Sequence, residues 1–137
     1  MPSWVSAGAI YFVTINAKAR GTDVLLRNGT AKRLIESAAF YHQTGAWWLH
    51  LLLIMPDHLH ALFSPAPDRE LAKAVMAWKS YQAKSLRIEW QAGFFDHRLR
   101  SDESLDEKAN YIRMNPVRAG LVSRPEDWPH LWVAASW

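Results

Sequence analysis

The run AWWLHLLLIM, from Ala46 to Met55, is followed by Pro56-Asp57 and then by HLHALF from His58 to Phe63. A ten-residue apolar run broken by one polar residue, His50, has no face to give to water, so it reads as a central strand covered on both sides. It is half the roughly 20 residues that a membrane span needs. Pro56-Asp57 ends the run, and a second strand resumes beside the first at His58. Working outward, the β-branched and aromatic stretch Ala9 to Ile15 predicts an earlier strand. Asn16 to Gly29 then predicts a polar loop with an Asn-Gly turn at Asn28. Between loop and central strand, Leu34, Ala38 and Tyr41 recur at helical spacing over Thr30 to His42, with Thr30 as N-cap and Gly45 as the stop.

Downstream, Asp68 is placed to cap a long helix from about Arg69 to Trp90, whose apolar stripe is Leu71, Ala74, Val75, Trp78, Tyr81 and Ile88. Phe94 to Leu99 is a short strand candidate after Gly93. Ser104 and Glu107 form a capping box for a last helix, which stops near Met114 because Pro116 disfavours helical geometry at Asn115. From about residue 121 the Pro- and Trp-rich tail reads as irregular chain packed back on the domain. Strand, helix, strand, strand, helix, strand, helix is the order of an α+β fold: a ferredoxin-like antiparallel sheet with helices packed on one face.

With 137 residues, the chain is expected to form one domain, residues 1–137. Half of it is apolar and 21% charged, which excludes a disordered or fibrous protein. No cysteine is present, so disulfide frameworks, thiolate metal sites and cysteine nucleophiles are excluded, and a metal would need His, carboxylate, amide or water. The net charge of +3 permits a polyanionic partner without requiring one. Eight tryptophans are open to two readings, core packing or stacking against unpaired bases. No basic segment followed by an apolar one opens the sequence, so a cytoplasmic location is expected.

His58 and His60 lie two apart in the second central strand, where side chains alternate, so both imidazoles share a face and could grip one divalent ion. The spacing alone fits two unrelated histidines equally well. Tyr111 and Asn115, four apart on the last helix, also share a face. They read either as a rim residue and a helix end, or as a phenol nucleophile and an amide oxygen that completes a metal site begun by the histidines.

Met55-Pro56-Asp57-His58-Leu59-His60 resembles the His-hydrophobic-His (HUH) motif of single-tyrosine transposases. Tyr111-Ile112-Arg113-Met114-Asn115-Pro116-Val117-Arg118-Ala119-Gly120-Leu121 resembles their tyrosine helix, especially that of the REP-associated tyrosine transposases, as do Phe95-Asp96-His97 and the Trp-Pro tail. The similarity runs from roughly Tyr11 to Trp132. It implies an enzyme that cleaves and rejoins single-stranded DNA beside hairpins, with Tyr111 as the nucleophile that carries the 5′-phosphate. An unperturbed phenol has a pKa of about 10 and needs help at neutral pH. The resemblance supplies it as Mg²⁺ or Mn²⁺ on His58, His60 and Asn115, with manganese the better match to imidazole. The phosphotyrosine ester conserves the energy of the cleaved bond, so a 3′-hydroxyl can reseal the strand without ATP.

Lys73, Lys84 and Arg87 form a basic helical stripe, and Arg113 and Arg118 bracket Asn115; all five are candidates for phosphate contacts. Asp57 reads as a backbone cap or a ligand, His97 as a supporting residue, and His50 as a hydrogen-bonded core histidine. Partners implied are single-stranded or hairpin DNA, with the protein a monomer or a homodimer. Other readings are a rolling-circle-type nickase, a non-catalytic hairpin-binding descendant of a transposase, and a metal-dependent hydrolase that forms no tyrosine adduct.

Overall fold

The computed structural model describes residues 2–100 and 103–135. Its elements are α1 (Ser3–Ala7), β1 (Tyr11–Asn16), a 3-10 segment (Val24–Gly29), α2 (Thr30–Thr44), β2 (Trp47–Ile54), β3 (His58–Pro65), α3 (Leu71–Leu86), β4 (Phe95–Arg98), α4 (Leu105–Arg113), α5 (Asn115–Arg118) and β5 (Leu131–Val133). The five strands form one antiparallel sheet in the order β4-β1-β3-β2-β5. Its first four strands, with α2 and α3 as crossovers, have the expected ferredoxin-like order.

The central hairpin is closed by the Met55 amide donating to the His58 carbonyl at 2.8 Å. Pro56-Asp57 is therefore a two-residue turn. In β3, Leu59, Ala61 and Phe63 point to one face and Leu62 to the other. The two-residue period puts His58 and His60 on the Leu62 face. In β2, Trp47 and Leu49 share the first face with Leu52 and Ile54, while Leu51, Leu53 and Met55 take the second. That change of parity comes from a β-bulge, the register slipping between Leu49 and Leu51, with His50 as the extra residue. His50 is buried, its Nε2 is 3.2 Å from Ser64 Oγ, and burial, with a smaller push from His42, lowers its pKa to about 4. This is the hydrogen-bonded core histidine expected.

A strand apolar on both faces needs cover on both, and the helices divide accordingly. Leu34 and Ala38 of α2 and Ala74, Val75 and Trp78 of α3 pack on the first face. Ala109 and Ile112 of α4 pack on the second. The antiparallel α+β architecture is as expected, while the helices occupy both faces rather than one.

The sequence and the structure differ at several boundaries. The helix expected over Arg69 to Trp90 spans Leu71–Leu86, because Arg87 turns left-handed at φ 56°; Ile88 still reaches the core. Glu70, not Asp68, precedes its first turn, and it makes no side-chain cap. Tyr81, expected on the buried stripe, is 58% exposed. Thr30 opens α2, with left-handed Gly29 before it rather than a side-chain cap, whereas Gly45 stops it as expected. Ser104 accepts from the Glu107 amide and caps α4 as expected. The helical path breaks at Met114 and resumes as α5, with Pro116 in its first turn.

The tail is not irregular throughout. Leu131 to Val133 pairs with Leu53 to Leu51, and the Trp128 indole donates to the Ile54 carbonyl at 3.0 Å. A buried strand cannot leave one row of backbone groups unpaired, so the tail supplies the missing partner. None of the seven described tryptophans is exposed, which favours packing over stacking for them. No helix among the described residues is long and apolar enough to cross a membrane.

Candidate active site

Strand β3 starts immediately after the two-residue turn, so His58 and His60 stand on a rigid element at the end of the central hairpin. Their ring centroids are 4.8 Å apart. Each has a partner at Nδ1: Asp57 Oδ1 lies 2.7 Å from His58, and Thr14 Oγ1 lies 2.9 Å from His60. Thr14 gets there because β1 pairs with β3 in the register Thr14↔His60. With a carboxylate accepting at Nδ1, the His58 ring carries its proton there and leaves a lone pair at Nε2; the Thr14 hydroxyl can impose the same tautomer on His60. Burial, then the nearby His58, Arg118 and Arg20, lower the His60 pKa to about 3. It is neutral at physiological pH, as a ligand must be.

Asp57 is itself held on three sides. It accepts from the Gly21 amide at 2.8 Å and pairs with Arg20 at 3.2 Å, besides bonding His58. Burial pushes its carboxyl up, but the bonds from His58 and Gly21 and the charge of Arg20 outweigh burial and hold it below the ordinary value. The backbone-capping alternative therefore accounts for Asp57, which also orients a histidine.

Helix α4 covers the histidine face. Tyr111 is 58% exposed and its ring lies between two cations, with the Arg118 guanidinium 4.2 Å from the ring centre and Lys108 Nζ 5.7 Å from it. Arg118 also donates to the Tyr111 carbonyl at 2.6 Å. Lys108 lies 5.6 Å from the Phe12 ring, and Phe12 in turn lies 5.4 Å from His60. Tyrosine and histidines are thus linked through Phe12, Lys108 and Arg118. The Asn115 amide donates through Nδ2 to the Ile112 carbonyl at 3.0 Å, which leaves Oδ1 as its ligand-capable atom.

The remaining candidates separate. Lys73 and Lys84 are exposed on α3 and Arg87 follows it, across the sheet from the histidines. Arg113 is exposed on α4 and lines a groove with Asp106 and Asn110. Of the five basic candidates, Arg118 alone stands beside Tyr111. His97 binds the Glu103 carboxylate at 2.9 Å, tying β4 to the start of α4. No cluster of three His, Asp or Glu residues that could hold a metal exists among the described residues; a site on the histidine pair would take its third protein ligand from an amide. Sequence reasoning missed Thr14, Phe12, Arg20 and Lys108. The position of Lys108 one helical turn before Tyr111 was a readable signal, whereas Thr14, Phe12 and Arg20 depend on strand register and loop packing.

Two histidines on a central strand of a ferredoxin-like sheet, under a helix bearing a solvent-facing tyrosine, define a single-tyrosine HUH transposase. The family model described as "Transposase IS200 like" matches residues 8–115, and the chain belongs to that family. A REP-associated tyrosine transposase of Escherichia coli K12 is 24% identical over 129 residues, covering 89% of this chain and 74% of that one. The solved structure of a REP-associated tyrosine transposase bound to a REP hairpin matches the fold with a TM-score of 0.74 at 23% identity, over 90% of this chain and 76% of the other.

Proposed function

We propose that this transposase cleaves and rejoins single-stranded DNA beside a hairpin, in the cytoplasm, through a covalent tyrosine ester. The observation that carries the reading is the face shared by the histidine pair and α4: two imidazoles backed at Nδ1, and a solvent-facing phenol between two cations. Tyr111 Oη loses its proton to solvent and attacks the scissile phosphorus, the bond to the 3′-oxygen breaks as that oxygen takes a proton from solvent and leaves as a hydroxyl, and the 5′-phosphate stays on the tyrosine. A free 3′-hydroxyl reverses the step and regenerates the phenol. Lys108 and Arg118, 5.7 and 4.2 Å from the ring centre, supply the positive charge that draws the phosphate towards the ring.

The donor set fits a divalent ion. His58 and His60 would hold it through Nε2 and Asn115 through Oδ1, a mixture of imidazole and amide oxygen that suits Mn²⁺ or Mg²⁺. Such an ion supplies charge neutralisation at the scissile phosphate. Asp57 and Thr14 keep the two rings in the tautomer and orientation that this requires.

The test is incubation with a hairpin oligonucleotide carrying unpaired flanks and Mn²⁺, followed by a denaturing gel. The unmodified chain should form a covalent complex, and Tyr111→Phe should form none while binding the oligonucleotide within about twofold, since the substitution keeps the ring and both neighbouring cations. Cleavage that survives in Tyr111→Phe would overturn the assignment.

A further inference from the structure

The layer of helices across the sheet from the histidines is not inert. Helices α2 and α3 carry five basic residues, Lys32, Arg33, Lys73, Lys79 and Lys84, against one acid, Glu36, a surplus of four where the whole chain carries +3. Lys79 is buried on the carbonyls of Gln91 and Gly93, and Lys32 pairs with Glu36 at 3.9 Å. Arg33, Lys73 and Lys84 are exposed, and no acidic side chain among the described residues pairs with them.

On the same layer lies an open groove of about 600 Å³ between the two helices, with Arg33, Phe40 and Glu36 on one wall and Tyr81 on the other, the charge of Glu36 being met by Lys32. Phe40 is 61% exposed and Tyr81 58%. Its floor is set by Gln82 donating to Ser37 Oγ at 2.6 Å. The described tryptophans are packed away, so among the described residues these two rings are the aromatic surface that the layer offers.

Exposed rings, with an unpaired arginine in the same groove and unpaired lysines on the same layer, match unpaired nucleic acid: every base presents a π-face to stack, and the backbone presents the charge. A duplex would bring the charge but no free base faces. We propose that the α2–α3 groove is a second nucleic-acid site, one that holds an unpaired strand with bases stacked on Phe40 and Tyr81 and a phosphate against Arg33, the strand then running out over the exposed face of α3 past Lys84 and Lys73. The site is independent of the chemistry at Tyr111.

Binding of a fluorescent twelve-residue oligothymidylate to the full chain tests this. The double variant Phe40→Ala/Tyr81→Ala should weaken binding about tenfold or more, since stacking on one ring is worth about 1–3 kcal/mol. It should still form the tyrosine adduct on a hairpin with minimal flanks. Lys73→Gln/Lys84→Gln should flatten the slope of log affinity against log salt by about 1.4, from roughly 0.7 per phosphate contact on a single strand. Phe95→Ala, which removes an exposed ring on the β4 edge, should change neither. On the unmodified chain, photo-cross-linking with 5-iodouracil oligonucleotides should label peptides of α2 and α3. Unchanged affinity in a folded Phe40→Ala/Tyr81→Ala protein, an equal loss for blunt duplex, or cross-links confined to the histidine face would each overturn the proposal. So would self-association of the unmodified chain that this double variant abolishes, because the groove would then seat a second copy.

Discussion

The two faces of one sheet differ in what covers them. On the first face, α2 and α3 together bury most of the core, from Val13 and Ile15 to Leu59, Ala61 and Phe63. On the second, α4 brings Ala109 and Ile112 over Leu51, Leu53 and Leu62, and the end of that face is left to polar side chains. The same strand β3 serves both, with Leu59 and Ala61 turned to one layer and His58 and His60 to the other. The two-residue period of a strand therefore separates core side chains from the histidine pair, and the pair is carried on a backbone that the opposite face makes rigid.

Truncation in the two cores gives the sharpest contrast. Leu34→Ala on the α2 side and Ile112→Ala under α4 should each cost about 2–5 kcal/mol in urea unfolding, as deletions at fully buried positions do. Leu34→Ala should leave adduct yield per folded molecule unchanged, whereas Ile112→Ala should lower it, because Ile112 seats the helix that carries Tyr111. Equal adduct yields would mean that the seating of α4 does not matter to the site.

Acid should act through the histidines that burial holds neutral, His50 in the bulge of β2 and His60 on the second face. His50 is neutral in the folded chain down to about pH 4, while in the unfolded chain it takes up a proton near 6.5. Its contribution is complete above pH 6.5 and falls away as the pH drops from 6.5 to 4, to a limit of about 3 kcal/mol. Urea midpoints measured between pH 7 and pH 4.5 should fall, and His50→Gln should flatten part of that fall. A slope unaltered by His50→Gln would assign the acid sensitivity elsewhere.

The smallest effect separates the two histidines from their supports. Thr14→Val removes the hydroxyl at His60 Nδ1 with little change of shape, and Asp57→Asn removes the carboxylate at His58 Nδ1. Each should weaken Mn²⁺ binding, read by electron paramagnetic resonance titration, by about 10–100-fold. Leu34→Ala should leave it unchanged; loss of Mn²⁺ binding there would erase the separation of the faces.

The elements were legible because each leaves a local mark. Nine apolar residues around His50 announce a strand covered twice, Ser104 and Glu107 announce the start of α4, and Gly45 the end of α2. The shared face of the His-x-His pair was legible for the same reason, since the strand period operates within a few residues; Tyr111 and Asn115, expected on one helix, lie on α4 and α5 with the break at Met114 between them. Boundaries failed where the cause was not local. Arg87 adopts a left-handed conformation that its residue type does not advertise. The tail becomes β5 because β2 has backbone groups to satisfy. Tyr81 has helical spacing like its neighbours and still faces solvent.

What the sequence by itself determined, then, is the order of elements, the absence of thiol chemistry, and the residues that share a face on each element. Only the tertiary structure decided which faces meet. The bulge at His50 shifts the parity of β2 and the register Thr14↔His60 places a hydroxyl behind a histidine. The seating of α4 brings Lys108 to Phe12, which adjoins His60, and the same packing leaves Lys73 and Lys84 on the far side of the sheet. Those outcomes depend on contacts between residues tens of positions apart, for which periodicity carries no information.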